Sequence, residues 1–428
     1  MMTFKDLFKN TVFPLIIGMV LVLISCGNVK KTEDGRLVKN IEEDLKQVQG
    51  DTSVIVGANR TALYLPLLKG KRVGVVANQT SVIFKKSTAL QKTTRNDNYT
   101  HLVDSLLSLN ITIKKVFSPE HGFRGKADAG ELVEDGIDTK TKLPIVSLHG
   151  KNKKPTKAQL EDLDVLIFDI QDVGVRFYTY ISTLHYVMEA CAEQKIPLII
   201  LDRPNPNGHY IDGPTLKSKY SSFLGMHPIP LVHGMTIGEY AKMINGEKWL
   251  TNVVACNVTI VSVKHYTHDT FYSLPIRPSP NLPNDQAIAL YPSLGLFEGT
   301  TINAGRGTEF QFQRYGAPYL NKEVMRFEYT PVPNFGAKHP KHKNTLCYGE
   351  DLKATKVDGM TLKWVISAYK NATDKSKIFN TKNFTTHAGT EVLQQQIEQG
   401  LTEAEIKATW QEDLEAYKKI RAKYLIYD

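Results

Sequence analysis

The chain has 428 residues, 42% hydrophobic and 23% charged. This is an ordinary globular composition, with apolar material for a sizeable core and no need of disulfide staples; at about 150 residues per domain it predicts two or three domains. Lys and Arg total 53 against 44 Asp and Glu, a net charge of +9 without any run of five or more basic residues, a pattern that argues against nucleic acid and suits a membrane surface or an acidic small molecule.

The N-terminus sets the address. Lys5 and Lys9 precede an apolar stretch, Thr11–Ile24, which ends in Leu23-Ile24-Ser25-Cys26-Gly27. A cationic start, a short apolar core and small residues before a cut make a secretion signal, and a Cys after Leu-x-Ser resembles a bacterial lipobox. Residues 1–25 are expected to be a lipoprotein signal peptide, Cys26 the lipidated residue, and 26–50, polar and charged, a tether. The alternative is a one-pass anchor helix, for which the run is short. No later hydrophobic run approaches about 18 residues, so the body should meet a membrane through the lipid alone. The expected location is exported and anchored to a bacterial membrane, facing periplasm or cell surface. Gly27 and Asn28 bring no Asp to the position that governs inner-membrane retention, which leaves the choice of membrane open.

The body begins as alternating strands and helices. Residues 72–78, 111–118, 144–148, 164–170 and 196–202 are short β-rich runs, several continuously apolar, as in strands buried on both faces. Helical patterns over 101–109, 156–163 and 180–194 lie between them, with Thr156 as an N-cap and Cys191 on the apolar face of the third. This alternation predicts an α/β fold, a Rossmann-like doubly wound parallel sheet over 51–210. From 211 to 428 Pro and Gly are frequent and segments shorter, which predicts a second, smaller α+β domain. It should close in a helix after Thr402, where Thr402 and Glu405 form a capping box and Ile406, Trp410, Leu414, Tyr417, Ile420 and Tyr424 recur at helical spacing as a core stripe.

Several chemistries are excluded. The turn after the first strand, Asn78-Gln79-Thr80-Ser81, holds no G-x-G-x-x-G, no P-loop occurs, and no G-x-S-x-G elbow is present, so neither a dinucleotide cofactor, nor P-loop phosphate binding, nor that type of Ser hydrolase is expected. Cys191, Cys256 and Cys347 fit neither zinc nor disulfide spacing. The His265-x-x-His268 and His339-x-x-His342 pairs lack a partnering ligand at zinc spacing. No cofactor and no metal are expected.

In open α/β sheets ligands bind beyond the carboxyl ends of the strands. Those ends here carry Asn78, the run Ser118-Pro119-Glu120-His121-Gly122-Phe123-Arg124-Gly125, His149, the run Asp169-Ile170-Gln171-Asp172-Val173-Gly174-Val175-Arg176, and Asp202-Arg203-Pro204-Asn205-Pro206-Asn207. Glu120 follows an apolar strand and a Pro, a place where desolvation raises a carboxyl pKa and suits a general acid; the alternative is an ion pair with Arg124. Asp172 is the second carboxylate, able to activate water, orient a sugar amide, or merely pair with Arg176. His121 relays a proton, binds substrate or braces the loop. Arg124, Arg176, Arg203 and Arg306 are candidates to clamp an acidic group, with Asn78, Gln171 and Asn205 as further polar contacts; turn chemistry alone is the competing account of Asn205 and Asn207.

The segments 76–81, 118–125, 168–180, 201–208, 233–239, 278–281, 297–300, 305–308 and 423–427 resemble those of the exo-β-N-acetylmuramidases, glycoside hydrolases formerly grouped as a domain of unknown function. The resemblance runs from about residue 54 to the C-terminus, over several motifs of eight residues or more. It implies a Rossmann-like domain joined to a smaller one with the site between them, release of β-linked N-acetylmuramic acid from the non-reducing end of peptidoglycan fragments such as MurNAc-GlcNAc in wall turnover and recycling, and Glu120 as the catalytic Glu. Two departures stand out: His149 where the family has Tyr, and Glu309-Phe310-Gln311 where a Pro-Phe pair is usual. Glycoside cleavage needs an acid for the leaving oxygen and a base or nucleophile opposite. A carboxyl separation of about 5–5.5 Å goes with a retaining and about 6.5–9.5 Å with an inverting route, and the substrate's own acetamido group is a third possibility. The lactyl anion of muramic acid suits an Arg pocket. The rival readings are a non-catalytic lipoprotein that binds muropeptides or glycan, and a different hydrolase or an oxidoreductase on the same sheet.

Overall fold

The computed structural model describes residues 53–85, 99–125 and 134–428; the expected signal peptide, Cys26 and the tether lie outside the described residues. Twelve strands occur among them, here β1 (Val73–Ala77), β2 (Val82–Phe84), β3 (Tyr99–His101), β4 (Ile113–Ser118), β5 (Gly136–Ile137), β6 (Pro144–Ser147), β7 (Val165–Asp169), β8 (Leu198–Leu201), β9 (Val258–Val261), β10 (Arg314–Ala317), β11 (Phe327–Tyr329) and β12 (Cys347–Asp351). Seven form one sheet in the order β5-β6-β4-β1-β7-β8-β9. All its pairings are parallel except β5 with β6. Counting the six parallel strands in chain order, the sheet reads 3-2-1-4-5-6, the Rossmann arrangement, whose direction reverses at β1.

The side-chain alternation of the strands explains why both faces must be covered. Along β7, Leu166 and Phe168 enter one core and Val165 and Ile167 the other; along β8, Leu198 and Ile200 part in the same way from Ile199 and Leu201. A strand apolar on both faces is stable only between two helical layers. The first core receives helix α4 (Tyr180–Gln194) through Ile181, Leu184, Val187, Met188 and Cys191, and helix α5 (Ile237–Gly246); the second receives α1 (Thr61–Leu68) and α2 (Leu102–Ser108). The expected helix at Thr156 is one short turn, α3 (Lys157–Leu160), closed by a Thr156–Gln159 capping box.

The sheet does not end near residue 210. Val258–Val261 supplies its outermost parallel strand, pairing with β8, so the layer extends well beyond the expected domain boundary, and Val54–Asp428 is one compact unit. After α6 (Asp285–Leu294) comes the smaller antiparallel sheet β10-β12-β11. Four helices follow the last strand before the final one: α7 (Lys363–Lys370), α8 (Thr381–Ala388), α9 (Val392–Glu398) and α10 (Glu403–Ala408). The Thr402–Glu405 capping box is present, but the closing helix is broken. α10 stops at Ala408 and α11 (Gln411–Arg421) starts anew, with Trp410 turned to donate its indole N–H to Asp212 at 3.2 Å. The chain end is then bolted to the sheet. Tyr427 donates its hydroxyl to buried Asp202 at 2.7 Å, and Glu239 accepts the amides of Ile426 and Tyr427. His268, one of the sequence's close His pairs, is spent on Glu239 at 2.9 Å. Among the described residues no helix is long and apolar enough to cross a membrane.

Candidate active site

β4 delivers Glu120 through a turn of unusual backbone. His121 (φ 71°) and Gly122 (φ 78°) are both left-handed, and the Gly122 amide closes the turn on the Pro119 carbonyl at 3.1 Å. A non-Gly residue held there is strained, a feature that clusters at functional sites. The Glu120 side chain meets the N-terminus of α4, where Thr179 donates its hydroxyl to Glu120 Oε2 at 2.8 Å. Thr179 is the N-cap residue of α4 but makes no side-chain cap bond there; its hydroxyl fixes the carboxyl instead. Tyr180 ties the same corner together, accepting from Asn78 Nδ2 at 2.9 Å.

Glu120, His121 and Thr179 line a cavity of about 230 Å³ with Tyr178, Tyr291, Phe177, Phe312, Asn281, Glu298, Arg306 and His387. Its aromatic wall is braced by edge-on contacts: Tyr291 against Phe177 at 5.2 Å and against Phe312 at 4.9 Å between centroids, an arrangement that rings favour.

A second carboxylate, Glu298, faces the same cavity. Its Oε2 accepts from Arg306 Nη1 at 3.0 Å. Behind it Lys341 donates to the Phe297 carbonyl at 2.7 Å. Burial alone would push the Glu298 carboxyl up, but the cations Arg306 and Lys341 outweigh it and hold the group below the ordinary glutamate range. Burial lowers His387, so its imidazole is neutral at neutral pH.

Of the sequence candidates, the structure brings Glu120, His121 and Arg306 to this cavity, and the others serve elsewhere. Arg124 does not pair with Glu120. It grips Asp138 at 2.8 and 3.2 Å and Asp104 at 3.3 Å. Arg176 is fully buried and donates to four carbonyls, those of Pro214, Ile229, His387 and Ala388. Arg203 makes a two-pronged pair with buried Asp169 at 2.6 and 2.9 Å. Asn78 and Asn205 hold local turns, Asn205 donating to the Met235 carbonyl at 2.9 Å and lying where a Cβ on Gly174 would come within 2.3 Å of its Oδ1. Gln171 donates to the Pro204 carbonyl at 2.6 Å; with Arg203 it borders a cleft of about 10 Å³, room for a single water at most. Asp172 is buried, its Oδ2 accepting from the Gly174 amide at 2.7 Å and standing 3.7 Å from His233 Nε2. It is not among the residues lining the large cavity; the carboxylate that lines it with Glu120 is Glu298. Glu298 was in plain view as the one ionisable residue of Phe297-Glu-Gly-Thr300, but nothing in its spacing from Glu120 announces that they share a cavity.

The two kinds of arginine separate by experiment. Arg124→Gln should cost roughly 2 kcal/mol of stability, because it strands buried Asp138 beside Asp104. It should leave KM for any substrate of the cavity within about twofold while urea unfolding shifts to lower concentration; a KM effect as large as that of Arg306→Gln would return Arg124 to the binding site.

Comparison with known proteins agrees with this architecture. The family models of the N-terminal and C-terminal parts of the exo-β-N-acetylmuramidase NamZ match residues 73–286 and 289–427. The chain is 40% identical over 384 residues to the peptidoglycan β-N-acetylmuramidase NamZ of Bacillus subtilis strain 168, covering 85% of this chain and 89% of that protein. Two crystal structures of DUF1343 family proteins from Bacteroides fragilis superpose on it. One has TM-score 0.77 and 44% identity, over 88% of this chain and 99% of its own; the other has 0.72 and 27%, over 89% and 100%. The chain, matched along both halves, belongs to the exo-β-N-acetylmuramidase family of glycosidases.

Proposed function

We propose that the protein removes β-linked N-acetylmuramic acid from the non-reducing end of peptidoglycan fragments, in the turnover and recycling of wall sugar. The observation that carries this reading is the meeting of two differently placed carboxyl groups, Glu120 and Glu298, in one aromatic-walled cavity of about 230 Å³. A void of that size suits a terminal sugar rather than the middle of a chain. Glu120 delivers the proton to the leaving oxygen, oriented by Thr179. Glu298, held as a carboxylate, supplies the negative charge that an oxocarbenium-like transition state needs, and a water from solvent bonds the anomeric carbon, its proton restoring the one that Glu120 gave up. Arg306 lies on the same wall with five N–H donors to share between Glu298 and the lactyl anion of muramic acid. The family membership and the Bacillus subtilis relative's activity support the substrate class.

Incubation with a β-MurNAc-GlcNAc disaccharide tests the reaction directly. Glu120→Gln should lose roughly 10²–10⁴-fold in kcat on it and much less on an aryl muraminide, whose leaving group needs little protonation. Glu298→Gln should lose a comparable factor on both. Full turnover by either variant removes that residue from the chemistry, and a disaccharide bound but intact with the native chain would leave only a glycan-binding protein.

The pH profile follows from the charges around Glu298. Because cations depress its pKa, the native acid limb of kcat lies below the ordinary glutamate range. Arg306→Gln withdraws one of them, so the Glu298 pKa rises and the limb should move to higher pH by about one pH unit; an unmoved limb would separate Glu298 from the rate.

We also propose export and anchoring through a lipid on Cys26, on the strength of the cationic, apolar and Leu-x-Ser-Cys order of the N-terminus. A Cys26→Ala chain should shift from the membrane to the soluble fraction of its host, and undiminished membrane retention would dismiss the anchor.

A further inference from the structure

A turn fastened to the cavity wall carries an exposed aromatic residue on a backbone that is pinned in place. Residues 334–337 form a tight turn in which Asn334 and Ala337 exchange both backbone bonds, each at 3.1 Å. Three side chains fasten it. Asn334 Nδ2 donates to the Thr308 carbonyl at 3.0 Å. Asn281 Nδ2 and Arg306 Nη2 donate to the Gly336 carbonyl, at 2.6 and 3.3 Å. Asn281 and Arg306 both line the cavity, so the turn is fixed to the cavity wall itself. Gly336 has φ 97°, and a Cβ there would stand 2.7 Å from Cβ of Pro280. Only glycine lets the turn lie this close to the Pro280–Asn281 stretch. Between Asn334 and Gly336 stands Phe335, 66% exposed.

A single exposed apolar residue on a loose loop needs no explanation. This one is different, because five hydrogen bonds hold the backbone on either side of it, and two of them come from the wall of the site. A ring presented on a fixed backbone binds without the ordering cost that a mobile loop incurs. With the terminal sugar in the cavity, as the muramidase reading has it, the sugar on the other side of the scissile bond lies toward its mouth. A pyranose offers a face of C–H groups, and an aromatic ring covers such a face with apolar contact that water otherwise holds.

We propose that Phe335 is the platform on which the leaving-group sugar, an N-acetylglucosamine in wall glycan, rests, making it a specificity-determining residue outside the catalytic pair. The inference rests on the muramidase reading and assigns that site its second sugar position.

Two substrates separate the terms. The β-MurNAc-GlcNAc disaccharide has a leaving-group sugar; methyl β-N-acetylmuraminide has a leaving group without a ring. Phe335→Ala should lower kcat/KM on the disaccharide about tenfold, the equivalent of about 1.4 kcal/mol, chiefly through KM. It should leave the methyl glycoside within about twofold, and Phe335→Trp should restore the disaccharide value. An unchanged disaccharide value, or equal losses on both substrates, would overturn the platform while leaving the muramidase reading intact, since native cleavage of the methyl glycoside supports that reading by itself. Failure of the native chain to cleave either compound would remove the reading and the platform together.

Discussion

The carbonyl oxygen of Pro278 is the joint on which the site is built. It accepts from Gln79 at the end of the first strand at 3.0 Å, from Tyr178 at 2.8 Å and from Tyr180 at 3.4 Å. These donors come from β1's turn and from the entry to α4, both fixed by the parallel sheet. The acceptor begins the segment that carries Ser279, Asn281 and Leu282 into the cavity wall. The sheet alone would present an open crevice at its carboxyl ends, as such sheets do. The Pro278 joint fixes the following segment beside that crevice, where it forms part of the wall of the cavity of about 230 Å³. Arg176 does the matching work underneath, its guanidinium collecting carbonyls from the segments around 214, 229 and 387–388. A buried cation with this many acceptors resists rearrangement because each acceptor would otherwise be left unpaired in a low-dielectric interior.

Glu120 and Glu298 line one cavity from different elements. Glu298 lies among cations and stays ionised in spite of burial. Glu120 stands at the end of an apolar strand, fastened by a neutral hydroxyl from Thr179. The same economy of contacts extends outward. Arg306 touches Glu298 with one nitrogen and the Gly336 carbonyl with another, so the charge that depresses Glu298 also steadies the turn that carries Phe335.

Some of the site was legible before any coordinates. Glu120 and His121 stand out because a Pro-Glu-His-Gly run after an apolar strand has little structural purpose of its own. The arginines misled for a definite reason. An Arg at a strand end looks alike whether it awaits a ligand or already has one, and its partners are hidden. Arg124 finds acids 14 and 20 residues away, and Arg203 finds Asp169 on the neighbouring strand. Arg176 finds backbone carbonyls, which every residue possesses and no sequence pattern marks. Asp172 follows the right strand, and no sequence pattern tells that its Oδ2 accepts the Gly174 amide two residues on while the lining of the large cavity passes it by.

The layered sheet, the helices that cover it and the position of Glu120 at a strand end could all be read from the chain before it is folded. Those follow from apolar periodicity and strand-end position, which are local and repeat along the chain. The broken closing helix, the strand at Val258–Val261 that carries the sheet past residue 210, and the pairing of Glu120 with Glu298 were decided only by tertiary structure. Each depends on residues tens to hundreds of positions apart meeting around a shared void. Periodicity tells which face of an element is buried; it does not tell which distant polar group will be waiting there.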